Sequence, residues 1–189
     1  MAPDISNPFF AKVIAGVRSV LGNDYQLLLS VTDAGLSPSA TETRRLLGLR
    51  PAGLLVHAPT KAFLEDLAGP LPLVALDAPG IDPSIPAVNM DVAQGAEAVV
   101  AHFSGLGHTR AAYLDGSTGT DTLMVRRQAF LEAAERYGIE VLPGNVASSM
   151  IDVSSASDEF SRNWPAWEAI GVTALACATD PQAFGVLHA

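Results

Sequence analysis

Leu106-Gly107-His108-Thr109-Arg110 runs directly into the apolar stretch Ala111-Ala112-Tyr113-Leu114, and the change of period across these residues decides the fold. On the N-terminal side, Val92, Ala96, Val99, Val100 and Phe103 recur mostly at three- and four-residue steps. That is the spacing of one buried helical face, so a helix is expected over 91–106, stopped by Gly107. Ala111–Leu114 reads as a strand buried on both faces. Gly116–Thr120 reads as loop, and a long helix is expected over 122–137, ended by Gly138. Helix, buried strand, loop and helix in succession describe an α/β architecture with a parallel sheet.

The same alternation extends in both directions. Upstream, Asn7-Pro8 pairs a good N-cap with a proline that loses no needed hydrogen bond, opening a helix through Leu21. Tyr25–Val31 is expected as a strand, and Ser37-Pro38 opens a second helix through Leu49. Gly53–His57 and Leu71–Leu76 are further strands, with a helix over 59–67 between them. Pro79–Pro86 reads as loop and Ala87–Asn89 as a short strand. Downstream, Val146–Ile151 is expected as a strand and Ser155–Asn163 as a helix broken before Pro165. A strand over 173–178 follows, and Asp180-Pro181 starts a last helix, with Asp180 as its cap. A wound sheet normally starts with a strand and closes with a full helix, so an internal piece of a longer protein is expected.

Composition bounds the possibilities. The chain has 189 residues, 49% hydrophobic and 16% charged, which excludes intrinsic disorder. No apolar run reaches the ~18 residues of a spanning helix. Eleven basic against 20 acidic residues leave a net charge of −9. Only Lys12 and Lys61 are lysines, and no basic face suited to nucleic acid is visible. Cys177 is the single cysteine, which excludes an internal disulfide and a cysteine-based zinc site. The start Met1-Ala2-Pro3-Asp4 has no basic or apolar leader pattern, so a cytoplasmic setting is the default.

Open parallel sheets bind ligands beyond the carboxyl ends of their strands. The segments expected there are Asn7–Phe10, Ser30–Asp33, His57–Pro59, Asp77–Gly80, Asn89–Asp91, Gly116–Thr122 and Thr179-Asp180. They mix aromatic, carboxylate, hydroxyl and amide groups, an inventory suited to a polyol. The loop Gly116–Thr120 lacks the lysine of a phosphate loop, and neither a dinucleotide fingerprint nor a nucleophile elbow occurs, so an enzyme is not expected. His102 and His108 lack cysteine partners, and no metal site or cofactor is expected; His108 is expected to bond backbone.

Several of these segments resemble the effector-binding region of the lac-repressor (LacI/GalR) family. Asp4-Ile5-Ser6-Asn7-Pro8-Phe9-Phe10 is similar to its opening, and Gly53-Leu54-Leu55-Val56 to its "DGLLV" strand. Val88-Asn89-Met90-Asp91 with Gly95-Ala96 resembles "V-x-x-D-N-x-x-G-A", and Leu106–Arg110 resembles the "LGH-R" turn. Arg126 and Phe130 resemble "R-x-x-G-F", with Ala129 in the glycine position. Thr173-Ala174 through Thr179-Asp180, with Ala183-Phe184-Gly185, resembles "PTA…AND…A-x-G", with Thr179 where the family usually has Asn. Ala78 stands where an Arg often follows the "VD" strand end. The matches keep the family's order along nearly the whole chain.

The resemblance implies a periplasmic-binding-protein-like α/β fold of two Rossmann-like lobes with parallel sheets, incomplete at both ends. The N-terminal lobe would span 1–107 without its first strand, and the C-terminal lobe 108–189 without its last part. It implies a small-molecule effector, sugar or purine-like, in the cleft between lobes, homodimerisation, and operator binding through an upstream helix-turn-helix headpiece. The hydroxyl-rich loops tilt the effector class toward sugar. The implied effector contacts are Phe9, Phe10, His57, Asp91, Thr120, Thr122, Arg126, Thr179 and Asp180. Six of them have an ordinary structural alternative. Phe9 or Phe10 can be core, Asp91 and Asp180 helix caps, His57 an exposed loop side chain, and Arg126 a surface ion pair. A cation early in a long helix opposes the helix dipole, which favours a functional Arg126. The competing function is a periplasmic-type sugar-binding protein of a transport system; the "LGH-R" turn favours the regulators.

Overall fold

The computed structural model describes residues 8–31, 40–67, 71–117 and 120–189. The opening motif Asp4–Asn7, the Ser37-Pro38 cap, Thr32-Asp33 and Thr118-Gly119 lie outside the described residues. Contacts divide the chain into two compact units, Met1–Asn89 and Met90–Ala189.

The first unit contains helices α1 (Pro8–Leu21), α2 (Ala40–Gly48) and α3 (Lys61–Asp66), with strands β1 (Leu54–His57), β2 (Leu73–Leu76) and β3 (Ala87–Val88). β2 is central and pairs in parallel with both neighbours, Leu54 opposite Leu73 and Ala75 opposite Ala87. Val56 and Ala75 are completely buried, as expected for strands covered on both faces. Thr60 caps α3 by accepting the Phe63 N–H at 3.2 Å, which fixes the turn that carries buried Phe63. The expected strand over 25–31 does not form. Only Val31 makes an isolated bridge, and Tyr25, Leu28, Leu29 and Val31 are exposed. A strand is held by ladder bonds to a neighbour, and no described strand pairs with 25–30, so its apolar composition is not enough.

The second unit contains α4 (Val92–Gly105), β4 (Ala111–Gly116), α5 (Asp121–Arg136), β5 (Val146–Ser149), α6 (Val153–Ala169), β6 (Ala174–Cys177) and α7 (Asp180–His188). β4 is the central strand, parallel to β5 and β6, and every one of its residues is buried. Its alternation sorts the core into two sides. Ala111 and Tyr113 pack with Val100 of α4 and Phe130 and Ala133 of α5. Ala112 packs with Trp167 and Val172, against Phe160 and Trp164 of α6. Gly107, at φ 84°, takes the left-handed conformation that lets the chain leave α4 and turn into β4.

Two expectations are revised here. The division expected after Gly107 would assign α4 to the first unit; instead α4 packs against α5, and the compact second unit starts at Met90. The helix expected to break before Pro165 continues through it to Ala169. An interior proline forfeits one backbone bond and costs about 3 kcal/mol. Here the next turn carries Trp167, buried and donating Nε1–H to the Gly144 carbonyl at 2.8 Å, and that anchoring offsets the loss.

Candidate functional site

In the first unit, β1 and β2 both end in backbone that L-residues rarely adopt. Ala58 and Asp77, each just past its strand, have φ of 42° and 52°. The turn after β1 leaves His57 3.4 Å from the Asp77 carboxylate. Phe10 is buried and meets the His57 ring edge-on at 5.0 Å, and Phe9 meets Phe10 at 5.1 Å. Phe9 is 39% exposed, so the adjacent pair separates into one buried and one solvent-facing ring, as their 100° offset on a helix requires. The Asn89 side chain accepts the Ala78 N–H at 2.7 Å and ties the end of β3 to the turn after β2.

In the second unit, a cavity of about 320 Å³ is lined by α4, α5 and the sheet. Its walls are mostly apolar: Val92, Ala96, Val99, Phe130, Ala176 and Ala178. Asp91 and Arg126 are the charged residues along it, and Tyr113 also lines it. Asp91 is the N-cap of α4, accepting the Gln94 N–H at 2.9 Å, and remains exposed. Arg126 is half-buried and donates to the Ala178 carbonyl. Among the described residues it has no ion-pair partner, so a surface salt bridge does not account for it. Tyr113 is 2% exposed and stacks on Phe130 at 4.9 Å. Its hydroxyl is buried with no hydrogen-bond partner. Burial first, then the Asp115 charge, pushes the phenol well above its ordinary range. Burial alone pushes the neighbouring Cys177 thiol up to about 11.

Beside this cavity, a polar cluster fastens the carboxyl edge of the second sheet. Gln182 is 0% exposed, and its amide donates to the Asp115 carbonyl at 2.8 Å and the Ser149 hydroxyl at 2.9 Å. Thr179 donates its hydroxyl to the Gln182 amide oxygen at 3.0 Å. Asp115 accepts its own neighbour's Gly116 N–H and pairs with Arg127 at 2.9 Å. The cap of α7 is therefore Thr179, not Asp180, which stands exposed in the first turn and favours the helix dipole. Thr120 caps α5 by position without a side-chain bond, and Thr122 is buried.

Of the residues picked from sequence, the structure brings Phe9, Phe10 and His57 together in the first unit, and Asp91 and Arg126 to one cavity in the second. Thr179 joins the polar cluster, while Thr120, Thr122 and Asp180 do not line the cavity. Sequence reasoning passed over Tyr113, Asp115, Arg127, Ser149 and Gln182. The Thr179-x-x-Gln182 spacing is a capping-box signal that marks Gln182, and a tyrosine within an all-apolar strand marks Tyr113. His108 bonds the Thr173 hydroxyl at 2.9 Å rather than backbone. Arg110 pairs with Glu140 at 2.6 Å and donates to the Ile170 carbonyl, so the turn after α4 is a structural latch onto the start of β6.

The periplasmic binding protein-like domain matches residues 100–189. The HTH-type transcriptional repressor PurR of Photobacterium profundum is 32% identical over 141 residues, covering 72% of this chain and 42% of that protein. The HTH-type transcriptional regulator DegA of Bacillus subtilis is 28% identical over 193 residues, covering 94% of this chain and 56% of that protein. A LacI family transcriptional regulator from Mycobacterium smegmatis superposes with a TM-score of 0.81 at 24% identity, over 99% of this chain and 69% of that structure. The chain spans about half the length of these curated relatives. Among the described residues no helix is long and apolar enough to cross a membrane. The parallel-sheet fold, the matched domain and the relatives together support a LacI-family effector-binding domain of periplasmic-binding-protein-like fold.

Proposed function

We propose that this chain is the effector-sensing and dimerisation core of a cytoplasmic LacI-type transcriptional regulator. A small molecule held at Arg126 and Asp91 shifts the protein between two conformations, and an upstream helix-turn-helix headpiece reads the shift at operator DNA. Only differential affinity of the effector for the two conformations drives that change. The observation that carries this reading is Arg126, a half-buried cation with no carboxylate partner among the described residues, lining a cavity of metabolite size. Its bond to the Ala178 carbonyl fixes one edge of the guanidinium and leaves further donors for a ligand. Phe9, His57 and Thr179 are proposed as additional contacts. The transport-type reading finds less support, because the relatives above are transcriptional regulators by name.

The test uses the full-length gene product. A ligand found by thermal shift should change its affinity for DNA upstream of its own gene by roughly 5–150-fold, the usual range of allosteric coupling. R126A should abolish the thermal shift with folding intact. A ligand-bound protein whose DNA affinity is unchanged refutes the regulator reading.

A further inference from the structure

His57 and Asp77 share a corner of the first unit although strand alternation would part them. His57 ends β1 opposite Leu76 of β2, so these two side chains belong to one face of the sheet. Regular alternation would send the next residue, Asp77, to the other face. Asp77 instead takes φ 52°, and its carboxylate lies 3.4 Å from His57 Nε2. Three hydrogen bonds pin this unusual backbone. The Asp77 N–H donates to the Val88 carbonyl at 2.8 Å, the Ala58 N–H to the Leu76 carbonyl at 2.9 Å, and the Ala78 N–H to the Asn89 side chain at 2.7 Å. Phe10 packs edge-on against the imidazole. The ring is held by two neighbours, yet its Nδ1 has no hydrogen-bond partner among the described residues. Unlike the Tyr113 hydroxyl, that nitrogen is not closed off from solvent. A carboxylate beside Nε2 keeps the proton of a neutral imidazole on that nitrogen and leaves Nδ1 as an acceptor.

We propose that Asp77 is a positioning residue that holds His57 with Nδ1 as a hydrogen-bond acceptor for a hydroxyl or N–H of the effector. An acceptor beside a carboxylate repels an anion, so this corner selects a donor-bearing group. This inference rests on the effector-sensing reading and names the chemical group that the first unit recognises.

Carbethoxylation by diethyl pyrocarbonate needs an unprotonated, reachable ring nitrogen, and mass spectrometry of the full-length protein reads it at His57. His57 should react. A hydroxyl-bearing probe among D-ribose, D-glucose and adenosine should slow the reaction saturably, whereas sulfate, which has no donor, should not. Two variants separate positioning from turn geometry. Asp77→Gly adopts the left-handed backbone freely but has no side-chain acceptor, while Asp77→Asn tolerates that backbone and keeps an amide oxygen beside Nε2. The protecting probe should bind roughly three- to tenfold more weakly to D77G, and to D77N as to the parent. Nitrogen NMR of the histidine-labelled protein at pH 8, with His57 assigned by its loss in H57Q, should place the proton on Nε2. A role in the turn alone would leave both variants like the parent, and that result overturns the proposal. Equal weakening in D77G and D77N, protection by sulfate, an unreactive His57, protection by no probe, or a proton on Nδ1 overturns it too. None of these outcomes decides the sensor reading, which fails separately on the DNA measurement.

Discussion

Gly185→Ala and Gly95→Ala are the same chemical change within helices of the same unit, and the structure gives them opposite signs. In a helix interior, alanine is favoured over glycine by about 1 kcal/mol. Gly95 lies on α4, where an added Cβ meets nothing within 4 Å, so G95A should collect most of that gain. Gly185 lies where α7 crosses the first turns of α6. A Cβ there sits 2.3 Å from the Val153 carbonyl oxygen, 2.8 Å from the Ala156 Cβ and 3.1 Å from the Ser157 nitrogen. The first contact is more than an ångström inside an ordinary separation of about 3.5 Å, and it is with backbone, which cannot swing aside as a long side chain does. Overpacking of this kind costs about 1–3 kcal/mol and occasionally more, which outweighs the propensity gain. G185A should therefore destabilise the second unit by roughly 1–3 kcal/mol, with Tm falling about 2–4 °C per kcal/mol for a chain of this size. Urea unfolding followed by tryptophan fluorescence reports on this site directly, because both tryptophans, Trp164 and buried Trp167, lie on α6. A G185A midpoint equal to or above the parent's refutes the close-packed crossing.

Other outcomes follow from the same contacts. Gln182→Ala strips partners from the buried edge of β4 and β5 and should cost roughly 2–4 kcal/mol in the same unfolding assay. Trp167→Phe keeps the ring volume in part but loses the bond to Gly144, for a loss of about 1 kcal/mol beyond packing, read from the urea midpoint. The Cys177 thiol is held neutral up to about 11 against an unfolded value of 9.0. Above 9 the unfolded chain releases a proton that the folded chain keeps, so stability falls as pH rises from 9 toward 11, and the raised Tyr113 phenol acts in the same direction. The urea midpoint should drop over that window, and less steeply in Cys177→Ala. Native Cys177 should also react with iodoacetamide at pH 8 far more slowly than in urea, as mass spectrometry would show.

Local sequence decided much of this protein. The three- and four-residue spacing of Val92, Ala96, Val99 and Phe103, the stop at Gly107 and the all-apolar Ala111–Leu114 sufficed for α4 and β4. Each depends on neighbours within a turn or two. The motif order pointed to the family, and the position of Arg126 in the first turns of α5, against the helix dipole, singled it out as a candidate effector contact. Tertiary structure decided what local patterns cannot carry. Tyr25–Val31 has strand composition, but a strand exists only when a partner edge satisfies its backbone, and no described strand pairs with residues 25–30. Pro165 breaks helices in isolation, yet α6 runs through it because Trp167 is anchored to a loop more than twenty residues earlier. The character of the cavity was likewise hidden. Its walls come from α4, α5 and β6, so their shared hydrocarbon surface and the orphaned Tyr113 hydroxyl arise only once the sheet brings distant segments together.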